Sequence, residues 1–196
     1  MNTDLQHLLL GSPQKVARAL IGWTLVSIAG DSNICTGGII CETEAYLPQD
    51  DPAAHGRRGK TKANASLFEC AGTIYVHEMH THFLLDIVTQ EVNVPGSVLI
   101  RGLKPTLGID LIRARRGVHD IALLCNGPGK LSKALAITRS LDGRTVFDQD
   151  CPIRLLPPGL HSPLAIKTSM RIGVTQDLPE PMRFYIDTKD LPENET

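Results

Sequence analysis

The order of apolar and polar positions divides the chain into short elements. Ser12, a capping residue, precedes Pro13, and Val16, Ala17, Leu20 and Ile21 form an i, i+4 stripe that stops at Gly22, which predicts a helix over 13–21. Apolar residues alternate from Trp23 to Ile28, and the turn pair Gly30-Asp31 leads into a second alternating run, so a hairpin is expected. In that second run, period two puts Ile40, Glu42, Glu44 and Tyr46 on one face and Ile39, Cys41, Thr43 and Ala45 on the other. The small, apolar second face reads as the buried one. Residues 48–64 show no apolar period and predict a loop. Residues 72–90 place β-formers on both sides of a polar middle, predicting two strands that meet around His77 to His82. A short strand is expected over 97–103, bracketed by Pro95-Gly96 and Pro105. Helices follow over 106–116, where Arg113, Arg115 and Arg116 crowd the last turn before Gly117, and from Asn126 to Ile137. Strands are expected over 153–156, 165–174 and 182–186, with 1–11 and 187–196 frayed.

Together these elements make a mixed α+β class with more sheet than helix. The 196 residues, 42% of them hydrophobic, suffice for one core, and no linker divides them, so a single domain over 1–196 is expected. Lys plus Arg number 20 against 21 Asp plus Glu, a formal net charge of -1; no global field draws the protein onto nucleic acid, and any such surface must be local. The five cysteines are odd in number and form no CxxC pair, which argues against a disulfide framework or a cysteine zinc site and for reduced thiols in a cytoplasmic setting. No basic-then-apolar leader and no run approaching the roughly 20 apolar residues of a membrane span is legible.

Candidate chemistry concentrates in Gly37 to His55, GGIICETEAYLPQDDPAAH. Glu42 and Glu44 on one strand face lie about 7 Å apart, so ionisation of one disfavours that of the other; the plainer reading is the wet face of a half-buried strand. The run HEMHTH at 77–82 misses the HExxH spacing because Thr81 stands where the second histidine is needed. His80 and His82 could still form a strand HxH metal pair, or simply a polar hairpin tip. A basic group, Arg57, Arg58, Lys60 and Lys62, joined by Arg113, Arg115, Arg116, Lys130 and Lys133, could neutralise phosphates or be solvated surface. Arg101 interrupts the apolar run VLIRGL and needs an anionic partner, for which Glu44 or Glu42 fits.

The blocks ETEAYLPQDDPAAH, AGTIYV, VLIRGLKP, NGPGKLSKALAI, RIGV and MRFYI, in this order, resemble the alkyladenine (methylpurine) DNA glycosylases. The resemblance implies a compact domain around a curved antiparallel β-sheet with flanking helices and a protruding β-hairpin that enters the minor groove of DNA. It implies excision of alkylated or deaminated purines without metal or cofactor. Carried over by motif, Glu44 would be the general base that activates water, with Arg101 and the Ile172 carbonyl helping to hold that water. Tyr46 and His55 would sandwich and hydrogen-bond the flipped base, beside His77 and Asp86. Met79 or His80 would intercalate at the hairpin tip. Arg57, Arg58, Lys60, Lys62, Lys130 and Lys133 are the phosphate-contact candidates. The chain departs from the family at His77, where relatives often carry tyrosine, and at Asp86, where relatives carry an asparagine that discriminates against the amino group of guanine. It is also one arginine short in Thr61-Lys62-Ala63-Asn64.

Glycosidic cleavage builds oxocarbenium character on the sugar, which a carboxylate can stabilise while it takes a proton from water. A base inside a duplex must first be flipped out and its gap filled. The expected protein is therefore a monofunctional, monomeric purine DNA glycosylase that initiates base excision repair on double-stranded DNA. The competing expectations are a non-catalytic binder of damaged DNA and a histidine-site metal hydrolase.

Overall fold

The computed structural model describes residues 3–30, 34–159 and 163–191. Helices α1 (Thr3–Leu9) and α2 (Pro13–Leu20) lead into β1 (Thr24–Ser27) and β2 (Thr36–Tyr46). The hairpin β3 (Ile74–Met79) and β4 (His82–Thr89) precedes β5 (Gly96–Leu107), α3 (Ile109–Arg116) and α4 (Pro128–Ala134). Strands β6 (Ile153–Leu156), β7 (Lys167–Ser169) and β8 (Arg183–Tyr185) complete the chain. The strands form one antiparallel sheet in the order β3-β4-β5-β2-β1-β6, with β8 added to β2 and β7 to β8. One edge of β2 is shared, its first half pairing β1 and its second half β8. The result is a single compact α+β domain with a curled sheet, as expected.

β2 is the axis of this arrangement. Gly37 and Gly38 lie so close to the Leu25 and Lys104 carbonyls that neither tolerates a Cβ. Helix α2 packs across the strand with Val16, Ala17 and Leu20 fully buried, and the Thr43 hydroxyl donates to the Ala17 carbonyl at 2.8 Å. This tie tethers the helix to the face opposite the two glutamates.

The structure corrects several sequence expectations. Residues 3–9 are helical rather than frayed, because Leu5 and Leu9, one turn apart, dock into the core. At the other end Leu191 is buried, and Lys104 donates to the Thr188 and Leu191 carbonyls; residues 1–2 and 192–196, like the Asp31 half of the Gly30-Asp31 turn, lie outside the described residues. β5 continues through Pro105, which pairs Gly38 next to a register shift that leaves Thr106 as the extra residue, and an irregularity of this kind is where a strand tolerates proline. Gly108, at φ 62°, caps α3, so that helix starts at Ile109 and not at Thr106. α4 likewise ends at Ala134, before Ala136 at φ 54°. The strand expected over 165–174 is only Lys167–Ser169. His80 sits in the hairpin turn rather than in a strand HxH pair, at φ 49° beside Thr81 at φ 69°, the two left-handed positions of a tight hairpin turn. All five cysteines are free. Among the described residues no helix is long and apolar enough to cross a membrane.

The alternation expected along β2 fails at one point. Ile40 pairs Leu103 and Glu42 pairs Gly102, which leaves Cys41 as an extra residue; Thr43 then pairs Ile100, which leaves Arg101 extra on β5. Two facing bulges thus put Ile40 in the core while Glu42, Glu44 and Tyr46 turn to the other face.

Candidate active site

Across five strands the register lines up Tyr75, Asp86, Leu99, Glu44 and Arg183 as neighbours. The first three line a cavity of about 400 Å³, together with Tyr46, His55, His77, Met79, Ser97, Arg101 and Ile172; Glu44 lies behind that wall, in contact with Tyr46, Arg101 and Ile172. That volume lies in the range of small-molecule sites. Loop residues 52–55 and 172–176 close its sides, and Pro128, at the start of α4, reaches its rim.

Glu44 is wholly buried, and each of its oxygens is occupied. Oε1 accepts from the Ile172 N–H at 2.8 Å and Oε2 from the Tyr46 hydroxyl at 3.0 Å, while Arg101 stands 3.3 Å from both. Burial raises its pKa, and the Arg101 charge, the Ile172 amide and the Tyr46 hydroxyl only partly offset this. Glu42 behaves oppositely. Burial would raise its pKa too, but hydrogen bonds from Arg183 (2.7 Å) and Arg101 (2.9 Å) outweigh it and hold the carboxyl below its usual range. Arg101 therefore finds both carboxylates expected of it, and the bulge on β5 is what lets an arginine leave an otherwise apolar strand.

The far wall is aromatic and polar. The rings of Tyr75 and His77 stack with centroids 5.2 Å apart, and His55 meets His77 edge-on at 4.5 Å. The Tyr75 hydroxyl lies 2.9 Å from His55 Nδ1. Enclosure at the rim, then the facing His77, lower the His55 pKa against the pull of Asp86. Asp86 is buried, accepts from the Ser97 hydroxyl at 3.0 Å, and has its other oxygen 3.3 Å from His77 Nδ1. That contact is close but misaligned, and neither atom makes a hydrogen bond. A buried acceptor with spare capacity thus faces the cavity beside a histidine.

The structure thus holds a buried carboxylate against an arginine, directly behind a cavity edged by stacked rings. The family model "Methylpurine-DNA glycosylase (MPG)" matches residues 7–190. The chain belongs to the methylpurine-DNA glycosylase family. Three relatives carry the name "Putative 3-methyladenine DNA glycosylase". The protein of Methanoculleus marisnigri is 40% identical over 174 residues, 87% of this chain and 88% of its own length. That of Rhizobium meliloti is 40% identical over 181 residues, 91% and 93% of the two chains. That of Agrobacterium fabrum is 42% identical over 178 residues, 88% and 82%.

Within this glycosylase fold the remaining candidates divide. Arg101, Tyr46, His55, His77, Asp86, Met79 and Ile172 all line one cavity, and Glu44 sits directly behind it, bonded to Tyr46, Arg101 and Ile172. Ile172 meets Glu44 through its N–H, whereas the sequence expectation concerned its carbonyl. Met79 and His80 are exposed at the hairpin tip, with only Met79 reaching the cavity. Arg57, Arg58, Lys60, Lys62, Lys130 and Lys133 are exposed and line no part of it. Lys60 pairs with Glu69 at 3.1 Å and Lys130 donates to Asn126 at 2.8 Å. Arg115 and Arg116 instead reach backbone carbonyls, those of Ala29 and Ala134 for the first and of Leu124 for the second, as partly buried struts between segments. Among the described residues no three His, Cys, Asp or Glu side chains converge in a way that could hold a metal ion. Sequence reasoning missed Tyr75, Asp51 and Arg171. Tyr75 was detectable as the period-two neighbour of His77 on β3. Arg171, flanked by Met170 and Ile172, carried the same signal as Arg101, a charge in an apolar run.

Proposed function

We propose that the protein hydrolyses the N-glycosidic bond of alkylated purines flipped out of duplex DNA, acting as a monomer from the minor-groove side. The observation that carries this reading is Glu44, a fully buried carboxylate of raised pKa held directly behind the wall of a cavity that can admit a base, by three residues that line that cavity, Tyr46, Arg101 and Ile172. A carboxylate kept from stabilising itself by hydration is a better proton acceptor from water and a stronger anion beside an oxocarbenium-like sugar. Arg101 and the Ile172 backbone flank it, and the water would lie between these groups.

Tyr46 offers a ring to the base, while His55, His77 and Tyr75 supply the opposing aromatic wall. Met79, apolar and exposed at the hairpin tip, is the side chain suited to enter the stack that the flipped nucleotide leaves. Lys62, Arg58 and Lys133 are exposed cations available for phosphates, and so few of them predicts modest affinity that falls steeply with salt. Cationic lesions such as 3-methyladenine and 7-methylguanine fit best, because their bases leave as neutral molecules and the Asp86 wall accepts N–H groups.

The test is incubation of a methylated duplex with the protein and a chelator, followed by measurement of free base. Release of methylated purine that leaves abasic sites is the expected result. Lesion-selective binding with no released base at any pH would instead identify a damage-binding protein.

A further inference from the structure

Arg171 is absent from the cavity lining and does not touch Glu44, yet three of its connections end there. Its guanidinium donates to the Ala45 carbonyl, in the peptide that follows Glu44, at 3.0 Å. It lies 4.6 Å from the centroid of the Tyr46 ring, whose hydroxyl donates to Glu44. It also immediately precedes Ile172, whose N–H is the second donor to Glu44. Arg171 itself is fully buried and fixed by two carboxylates. Asp51 accepts from both terminal nitrogens at 2.7 and 2.8 Å, and Asp177 accepts from Nε at 2.8 Å and from the Arg171 backbone N–H at 2.9 Å.

We propose that Arg171 is a positioning residue that holds Glu44 in its reactive geometry through the Ala45 carbonyl, the Tyr46 ring and the Ile172 amide, without meeting substrate or water. The catalytic half of this inference rests on Glu44 acting as the base. Only a planar fork of five donors can grip Asp51, Asp177 and Ala45 at once, and a lysine offers a single point charge. A buried pair of this kind is weak evidence for stability, so its role is sought in the geometry it imposes on its neighbours. The charged and titratable groups facing Glu44 are Arg101 from β5 and Glu42 and Tyr46 from β2. Arg183 lies opposite on β8, but its side chain turns to Glu42, and Asp86 lies one strand beyond, past Leu99. The Ile172 and Tyr46 donors favour the ionised carboxylate, so loosening them moves the Glu44 pKa up.

The experiment compares wild type, Asp177→Asn and Arg171→Lys. It follows the Glu44 carboxyl by carbon-13 titration and measures single-turnover release of 7-methylguanine from duplex DNA against pH. The expected result is an upward shift of the Glu44 titration and of the acid limb in both variants, with unchanged DNA affinity. Rates should fall about 10- to 100-fold for Arg171→Lys, the scale of a misplaced catalytic group, and less for Asp177→Asn. If Arg171→Lys does not fold, Asp177→Asn decides, because Arg171 keeps its two bonds to Asp51 there. A folded Asp177→Asn with an unmoved Glu44 titration overturns the proposal, even if its rate falls. If wild type releases no base while the titration still moves, the glycosylase reading fails and the hold on Glu44 stands.

Discussion

Glu42 and Glu44 stand two residues apart on one strand and share one arginine, yet their surroundings drive them in opposite directions. Around Glu42, two guanidiniums, Arg101 and Arg183, satisfy the carboxylate and make its charge stabilising. Around Glu44 there is one arginine at longer range, complete burial and a cavity just beyond Tyr46, Arg101 and Ile172. The first region is finished chemistry, held together for the fold. The second is left electrostatically short, and that shortfall is available to a reaction. Proximity of two carboxylates therefore does not by itself make an acid and base pair; the number of cations assigned to each decides their roles.

The sharpest way to break this contrast is to neutralise each carboxylate in turn. Glu44→Gln should lower base release by about 10²- to 10⁴-fold, the usual worth of a general base. Its melting temperature at neutral pH should be equal to or above that of wild type, since the site disfavours the charge. Glu42→Gln should keep activity within about tenfold but lose about 1–3 kcal/mol from its stranded guanidinium partners, or roughly 2–4 °C per kcal/mol in a chain of this size. Similar activity losses in the two variants would erase the distinction.

A smaller effect is expected on the far wall. Asp86→Asn gains a donor where only acceptors stood, so the ratio of cationic to neutral lesions released should fall about tenfold; an unchanged ratio would show that Asp86 is not read by the base.

The pH dependence separates the two regions more finely. Glu44 has a raised folded pKa, so it supports the fold below its unfolded value near 4.5, and that support is lost as pH rises through the folded value. Glu42 has a lowered folded pKa, so its contribution is full above about 4.5 and disappears as pH falls through the folded value. The acid limb of activity should accordingly lie above the ordinary glutamate range and move down in Glu42→Gln, which removes a neighbouring negative charge. Movement upward would contradict the assignment. The least effect is expected from Met79→Ala, a few-fold loss on duplex and none on single-stranded substrate, read from parallel excision assays.

Much of this was legible in the sequence. Helical stripes and strand alternation gave α2, the β3–β4 hairpin and the strand that carries the ETEAY motif, because local burial dictates those periods. The motif also located Glu44, Tyr46 and His55. Arg171 stood out as a charge in an apolar run, but its anchorage was not readable, since its partners Asp51 and Asp177 are brought to it only by the fold. Nor was the fork of β2 between β1 and β8, because one edge serving two strands leaves no mark in the alternation.

The facing bulges at Cys41 and Arg101 act as a parity count on the strand. The even-numbered residues are core at Ile40 and cavity from Glu42 onward, so a single extra residue decides which set faces the DNA side. Were Cys41 to pair regularly instead of bulging, Glu42 and Glu44 would keep the Ile40 side, toward α2, and Thr43 and Ala45 would face the cavity. The same protein would then have every catalytic letter in place and spell nothing with them.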